Sequence, residues 1–301
     1  MSEVDTTVKT IDKEAARKAA PKLNQRKNPI YMAVIYLVSC ILVVVCILPF
    51  IILFVNATRS TVEIQQHAVS LIPSKYLMNN WKVFNGKDFN PLVGFKNSCV
   101  VSVFATALAV YFSSLTAYAL TAYEWKLRDG FFSFIMGVMM IPGQVTSIGF
   151  YQMCYKLGLT NNLLMLILPS IAAPMMVFFM RQYLQASLSI EIVESSRIDG
   201  AGEFYTFNKI VLPIMKPAMA TQAIFSFVGS WNNLFTPLIL LTKKENYTMP
   251  VMVSLLKGDI YKTEYGSIYL GLSLTVLPLV IVYLVLSRYI VAGVALGAVK
   301  G

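Results

Sequence analysis

The chain has 301 residues, of which 56% are hydrophobic and only 13% charged, and its formal net charge is +10. A soluble domain carries about a quarter charged residues, so this composition excludes an ordinary soluble globular protein. The basic excess does not indicate nucleic acid, because no basic run with interleaved aromatics is present to track a phosphate backbone; Lys and Arg lie in tails and loops, as they do in membrane proteins.

Asp, Glu, Lys and Arg are missing from six stretches: 28–58, 97–123, 130–155, 157–180, 217–242 and 265–287. Each is about as long as the ~20 residues a helix needs to cross a bilayer, or longer. The expected fold class is all-α, a polytopic membrane protein with six transmembrane helices near 31–55, 98–122, 131–155, 163–180, 218–241 and 268–287.

In chain order, residues 1–30 form a polar tail of mixed charge, with a short amphipathic segment near 12–20. The polar part is too long, and no small-x-small site follows the first apolar run, for this to be a secretory signal. The first span carries Pro49, which can kink it near its outer end. The loop 56–96 holds turn and interface signals at Pro73, Trp81, Asn85-Gly86 and Asn90-Pro91. On span two, Ser102, Thr106, Ala109, Ser113 and Thr116 step by helical intervals and make one small, hydroxyl-rich stripe. Such a stripe permits close helix approach or lines a path. Pro142-Gly143-Gln144 interrupts span three, and span four contains Pro169 and Pro174.

Span five carries a second stripe, Gln222, Ser226, Gly229, Asn233 and Thr236, with Pro237 breaking the helix beyond it. A polar amide in a span is costly unless it faces the bundle interior, so this stripe either lines a translocation path or bonds to a neighbouring helix. The loop 243–264 has polar ends and a less polar centre at Met249-Pro250-Val251-Met252. Arg288 and Tyr289 mark the end of span six, before a small, Gly-rich tail.

Cys40, Cys46, Cys99 and Cys154 fall in or beside apolar spans without CxxC spacing and read as small hydrophobes. His67 is the single histidine, in a loop, and builds no metal site alone. No catalytic residue, cofactor-binding residue or metal ligand is assigned, since no span holds a charged catalytic residue or a nucleophile–histidine pair. Basic residues are in excess on the side of the N-terminal tail, which places that tail, and with an even number of spans the C-terminus too, in the cytoplasm.

The segment 189–213 then lies on the cytoplasmic side. It is charged and has a glycine in its middle. Ile190 to Arg197 has a helical pattern in which Glu194 and Arg197, three apart, can pair. Gly200 supplies a left-handed helix stop. Phe204, Phe207 and Val211 form an apolar face on a second short helix, which Pro213 and Pro217 end. Physics alone allows two readings of this segment: an interfacial helix that anchors the loop, or a docking surface.

The spacing decides between them by resemblance. Glu194-Ser195-Ser196, Gly200 and Ile210-Val211-Leu212-Pro213 match the E-A-A-x3-G-x9-I-x-L-P signature, and the chain resembles the permease subunits of binding-protein-dependent ABC importers. Arg197-Ile198-Asp199-Gly200-Ala201, Met180-Arg181-Gln182, Trp231-Asn232-Asn233 and the terminal Gly297-Ala298-Val299-Lys300-Gly301 resemble the carbohydrate branch, in particular the smaller six-span permease of maltose-type systems. Ser195-Ser196 replace the usual Ala-Ala, and Ser189 stands where many members have Pro, a position from which it can cap the helix.

The resemblance implies residues 31–301 as one transmembrane domain whose coupling loop seats in a separate ATPase. Glu194, Ser195, Ser196, Arg197, Asp199, Gly200 and Ala201 would make that contact. The chain itself has no GxxxxGK[ST] loop, so ATP and Mg belong to the partner, present in two copies. A second permease subunit and an extracytoplasmic sugar-binding protein complete the implied assembly in the cell membrane, and Met249, Pro250, Val251 and Met252 would form the loop that meets the binding protein. An ABC permease for another solute, an integral-membrane enzyme and a simple anchor remain the alternatives at this point.

Overall fold

The structure is a computed structural model. It describes residues 29–86, 90–256 and 263–298, with side chains to Val285. The N-terminal tail through residue 28, its amphipathic segment and the last three residues of the C-terminal tail lie outside the described residues. The chain divides into two units, 1–51 and 52–301.

The described part of the first unit is helical: α1, Pro29–Ala57, begins there and runs without interruption through Pro49 into the second unit. In the second unit the expected loop 56–96 contains two helices, α2 (Thr61–Gln66) and α3 (Leu77–Gly86). α2 starts at a capping box in which the Ser60 hydroxyl accepts from the Glu63 N–H and the Glu63 carboxylate accepts from the Ser60 N–H. The long α4 (Pro91–Ala122) starts seven residues before the second predicted span. Asn90 and Pro91 make this start rather than a turn, because the Asn90 amide oxygen caps the Leu92 N–H and proline suits the first helical position.

The third predicted span is two helices, α5 (Arg128–Val138) and α6 (Gly143–Lys156), bent by 94° where Pro142 interrupts the ladder. The fourth is longer than expected: α7 (Leu164–Ile167), a 3-10 turn through Ile171 and α8 (Pro174–Ser187). Arg181, expected to end this span, sits inside α8 with its guanidinium carbon 4.1 Å from the centre of the Phe132 ring. After α9 (Ile190–Ile198) comes a helical run from α10 (Glu203–Thr206) through a π turn at Phe207–Val211 into α11 (Leu212–Trp231).

Pro213 and Pro217 were expected to break the chain here and do not. The π turn bonds the Leu212 N–H back five residues to the Phe207 carbonyl. Pro213 follows directly, where the local register already departs from the α ladder. The chain breaks instead at Asn232–Leu234, and Pro237 lies within the short α12 (Phe235–Leu240). A 3-10 turn (Lys244–Asn246), α13 (Met249–Leu256) and α14 (Tyr265–Ala298) complete the described residues. α14 runs beyond the expected end of span six at Ser287.

Among the described residues all regular structure is helical. Five stretches are long and apolar enough to cross a membrane, and the bent α5–α6 pair gives a sixth if it counts as one span. α4 is the central strut of the second unit, packing on α8, α11 and α13. Near one end it shares a core cluster, including Ala117, Tyr118, Met180, Leu184, Phe207 and Met215, with α8 and the π turn. Near its start, Gly94 lies against Met252, in a second cluster of Phe84, Met249, Met252, Leu256 and Ile268. From Asn97 to Tyr118, α4 covers about 30 Å at 1.5 Å per residue, the thickness of a bilayer core.

Candidate functional site: the loop between α8 and α11

Val193, fully buried, plugs α9 into the first core cluster. Ser196 is the other buried residue of this helix, and its hydroxyl lies 2.5 Å from that of Thr206. The remaining face projects outward: Glu194, Ser195, Arg197, Asp199 and Gly200 are exposed, and Ala201 is half-buried. Gly200 has φ +79°, the left-handed stop expected of it. A Cβ there would touch nothing, so backbone conformation rather than space favours glycine.

Three local expectations are corrected. Arg197 does not pair with Glu194; its Nε donates to Glu203 Oε1 at 2.7 Å and its guanidinium lies 5.1 Å from the Tyr123 ring centre. The left-handed turn at Gly200 brings α10 back alongside α9, so the carboxylate six residues on is within reach. Ser189 occupies the N-cap position, but its hydroxyl donates to the Glu191 carboxylate at 3.3 Å instead of capping a backbone N–H. Phe204 does not share the inward face with Phe207 and Val211: it is 70% exposed while they are buried. Phe204 lies on α10, before the π turn that carries the buried Phe207 and Val211.

The sequence reading missed Glu203, Tyr123 and Tyr118. Glu203 Oε2 accepts from the Tyr123 hydroxyl, and the Tyr118 hydroxyl is 3.5 Å from the same oxygen. Glu203 raises the Arg197 pKa above its ordinary value. The Tyr123 phenol is also pushed up, first by burial and then by its bond to Glu203. Nothing in the linear spacing signals this meeting, since eighty residues separate Tyr123 from Glu203.

The span-five stripe is divided. Gln222, Ser226 and Gly229 share one face of α11, half-buried or exposed. Asn233 lies beyond the end of the helix, where its Oδ1 is 3.4 Å from the Thr236 N–H, and Thr236 sits on α12 with its hydroxyl 3.3 Å from that of Ser147. In the span-two stripe, Ser102, Ala109 and Ser113 are buried against neighbouring helices, in keeping with close packing. In the loop 243–264, Met249, Val251 and Met252 point inward and are buried, while Pro250 is half-buried. Met249 and Met252 anchor α13 in the second core cluster, and the segment presents little side chain outward. Among the described residues no group of acidic, histidine and cysteine side chains could hold a metal ion.

Residues 109–296 match the family described as the binding-protein-dependent transport system inner membrane component. The chain belongs to that family. It is 32% identical over 281 residues to the arabinooligosaccharides transport system permease protein AraQ of Halalkalibacterium halodurans, covering 93% of this chain and all of the relative. To the lactose transport system permease protein LacG of Rhizobium radiobacter it is 31% identical, with 84% of this chain and 91% of the relative covered. A chain of a bacterial ABC transporter involved in the import of the acidic polysaccharide alginate superposes with a TM-score of 0.75 at 23% identity, over 89% of this chain and 99% of that one. This permease is therefore an inner-membrane transport subunit and not itself an enzyme, and it works in a complex with an ATPase and a binding protein.

Proposed function

We propose that this permease carries a sugar or oligosaccharide inward, and that the loop 189–213 docks on a separate ATP-binding subunit at the cytoplasmic face. The observation that carries the reading is the exposed face of α9, ending in the left-handed Gly200 and fixed to the bundle by one apolar plug at Val193. A helix held this way presents Glu194, Ser195 and Asp199 to a partner while its load passes into the core. The named relatives transport arabinooligosaccharides and lactose, which supports a carbohydrate cargo.

In the assembly proposed here, two ATP-binding subunits bind ATP and Mg, a second permease chain completes the path, and both termini of this chain are cytoplasmic. Gln222, Ser226 and Gly229 face that path along α11, with Asn233 and Thr236 at its mouth. The loop 243–264 faces the extracytoplasmic binding protein, with its polar ends rather than the buried Met249, Val251 and Met252 making the contact. Uptake of labelled oligosaccharides by cells with and without this chain tests the cargo. Loss of uptake of at least one carbohydrate on deletion, restored by the reintroduced chain, is expected; unchanged uptake across the panel with loss of a non-sugar solute overturns it.

A further inference from the structure

Three elements meet on one carboxylate. Glu203 opens the helical run that ends at Trp231. Its Oε1 accepts from Arg197 on α9, and its Oε2 accepts from Tyr123 just past the end of α4. A second guanidinium nitrogen of Arg197 reaches the same Oε2 at 3.4 Å. The ring of Tyr118 stacks on Phe207 at 5.6 Å and meets Tyr123 edge-on at 5.5 Å, so the phenol that bonds Glu203 is itself held against the π turn. Beside this junction lies a cavity of about 610 Å³ lined by Tyr118, Tyr123, Trp125, Glu203, Phe204 and Phe207.

We infer that Glu203 is a positioning residue that makes the docking helix α9 and the end of α4 move as one body. The inference rests on the docking reading above. Without the carboxylate, α9 is joined to the bundle by the two-residue link to α8 with its buried Leu188, by Val193, by the Ser196–Thr206 hydroxyl contact, by the four-residue turn through Gly200 and by the contact of Arg197 with the Tyr123 ring. A load applied at the outer face of α9 then reaches the end of α4 without a charge-assisted bond to carry it. With the carboxylate in place, Arg197 passes the load to Glu203 and Tyr123, and so to the strut that spans the bundle. The ion pair is partly exposed, with 36% and 48% of the two side chains accessible. Pairs of that kind contribute little to fold stability, so the junction's role is mechanical, and stability and coupling respond differently to its removal.

The test uses the complete transporter in proteoliposomes and measures solute taken up per ATP hydrolysed, with the thermal midpoint of the complex alongside. Losing a charge-assisted junction predicts a fall of roughly tenfold in uptake per ATP for Glu203→Gln and about threefold for Tyr123→Phe. Because the two act through the same junction, the double variant is no worse than Glu203→Gln alone. Glu203→Asp, which keeps the charge, recovers most of the loss, and the thermal midpoint stays close to that of the unaltered complex. Uptake per ATP within twofold of the unaltered complex in Glu203→Gln overturns the inference, as does a loss that tracks a fall in the thermal midpoint. Gly200→Asp run in parallel separates the two levels. If it blocks uptake and Glu203→Gln does not, only the positioning role fails; if uptake survives Gly200→Asp, the docking reading falls and the inference with it.

Discussion

The two ends of α4 are held by different chemistry. Near its start, side-chain amides and hydroxyls bond to backbone groups. Asn97 donates to the carbonyls of Glu245 and Tyr247 at 2.8 and 3.1 Å, and Ser98 accepts from the Met249 N–H at 2.8 Å. Close by, buried Asn80 donates to the carbonyls of Ala57 and Arg59, and Ser267 donates to the Asn80 carbonyl. Gly266 packs so tightly there that a Cβ would come within 2.4 Å of the Arg59 carbonyl. At the other end, beside the first core cluster, the polar contacts join charged and phenolic side chains, and the Arg197–Glu203 pair among them is partly accessible. Buried amide-to-carbonyl bonds have no water to replace a lost partner, so the first end is stiff. At the second end water at an accessible surface offsets the loss of a charged contact, so its removal costs little stability.

Breaking the second end has the largest functional consequence. Gly200→Asp adds a carboxylate beside Asp199 on the docking face and is expected to lower uptake roughly 100-fold, the scale of an unpaired interfacial charge. Membrane insertion, read by fractionation and limited proteolysis, stays normal. Breaking the first end acts on stability instead. Asn80→Ala leaves two buried carbonyls unpaired and is expected to cost about 2–3 kcal/mol in unfolding from detergent.

A smaller effect is expected between the ends. Trp231 is buried, stacks on Phe227, meets Phe95 edge-on and donates its indole N–H to the Thr275 carbonyl at 2.8 Å. Trp231→Phe removes that bond between α11 and α14 and is expected to cost about 1–2 kcal/mol by the same unfolding measurement. The smallest stability effect is that of Arg197→Lys, which keeps the charge at an exposed site and is expected to shift stability by less than about 1 kcal/mol. A shift as large as that of Asn80→Ala would erase the distinction between the ends.

Much of this arrangement was legible in the sequence. The charge-free stretches located the apolar helices, Pro142 located the bend in the third, and Gly200 located the left-handed stop. Those features depend on composition and on the local chemistry of single residues. Errors came where neighbours overrode local rules. Pro213 and Pro217 read as breakers, yet the helix runs on through both, with a π turn directly before Pro213. The span-five stripe read as one face, but the helix ends at Trp231 and leaves Asn233 and Thr236 on other segments. Glu194 was the nearest carboxylate to Arg197 by helical spacing, and the turn at Gly200 supplied Glu203 instead. Tyr123 could not be connected to Glu203 from spacing, because that contact exists only once α4 and α10 are packed.

The docking assignment is tested most directly by site-specific cross-linking in the assembled transporter, with Ser195→Cys on the outer face of α9 and Lys243→Cys at the far end, each in a background in which the four native cysteines are replaced by serine or alanine. The account predicts that a bifunctional thiol reagent joins the first position to the ATP-binding subunit and the second to the binding protein. Cross-linking of position 195 to the binding protein, or none to the ATPase at either position, would contradict it.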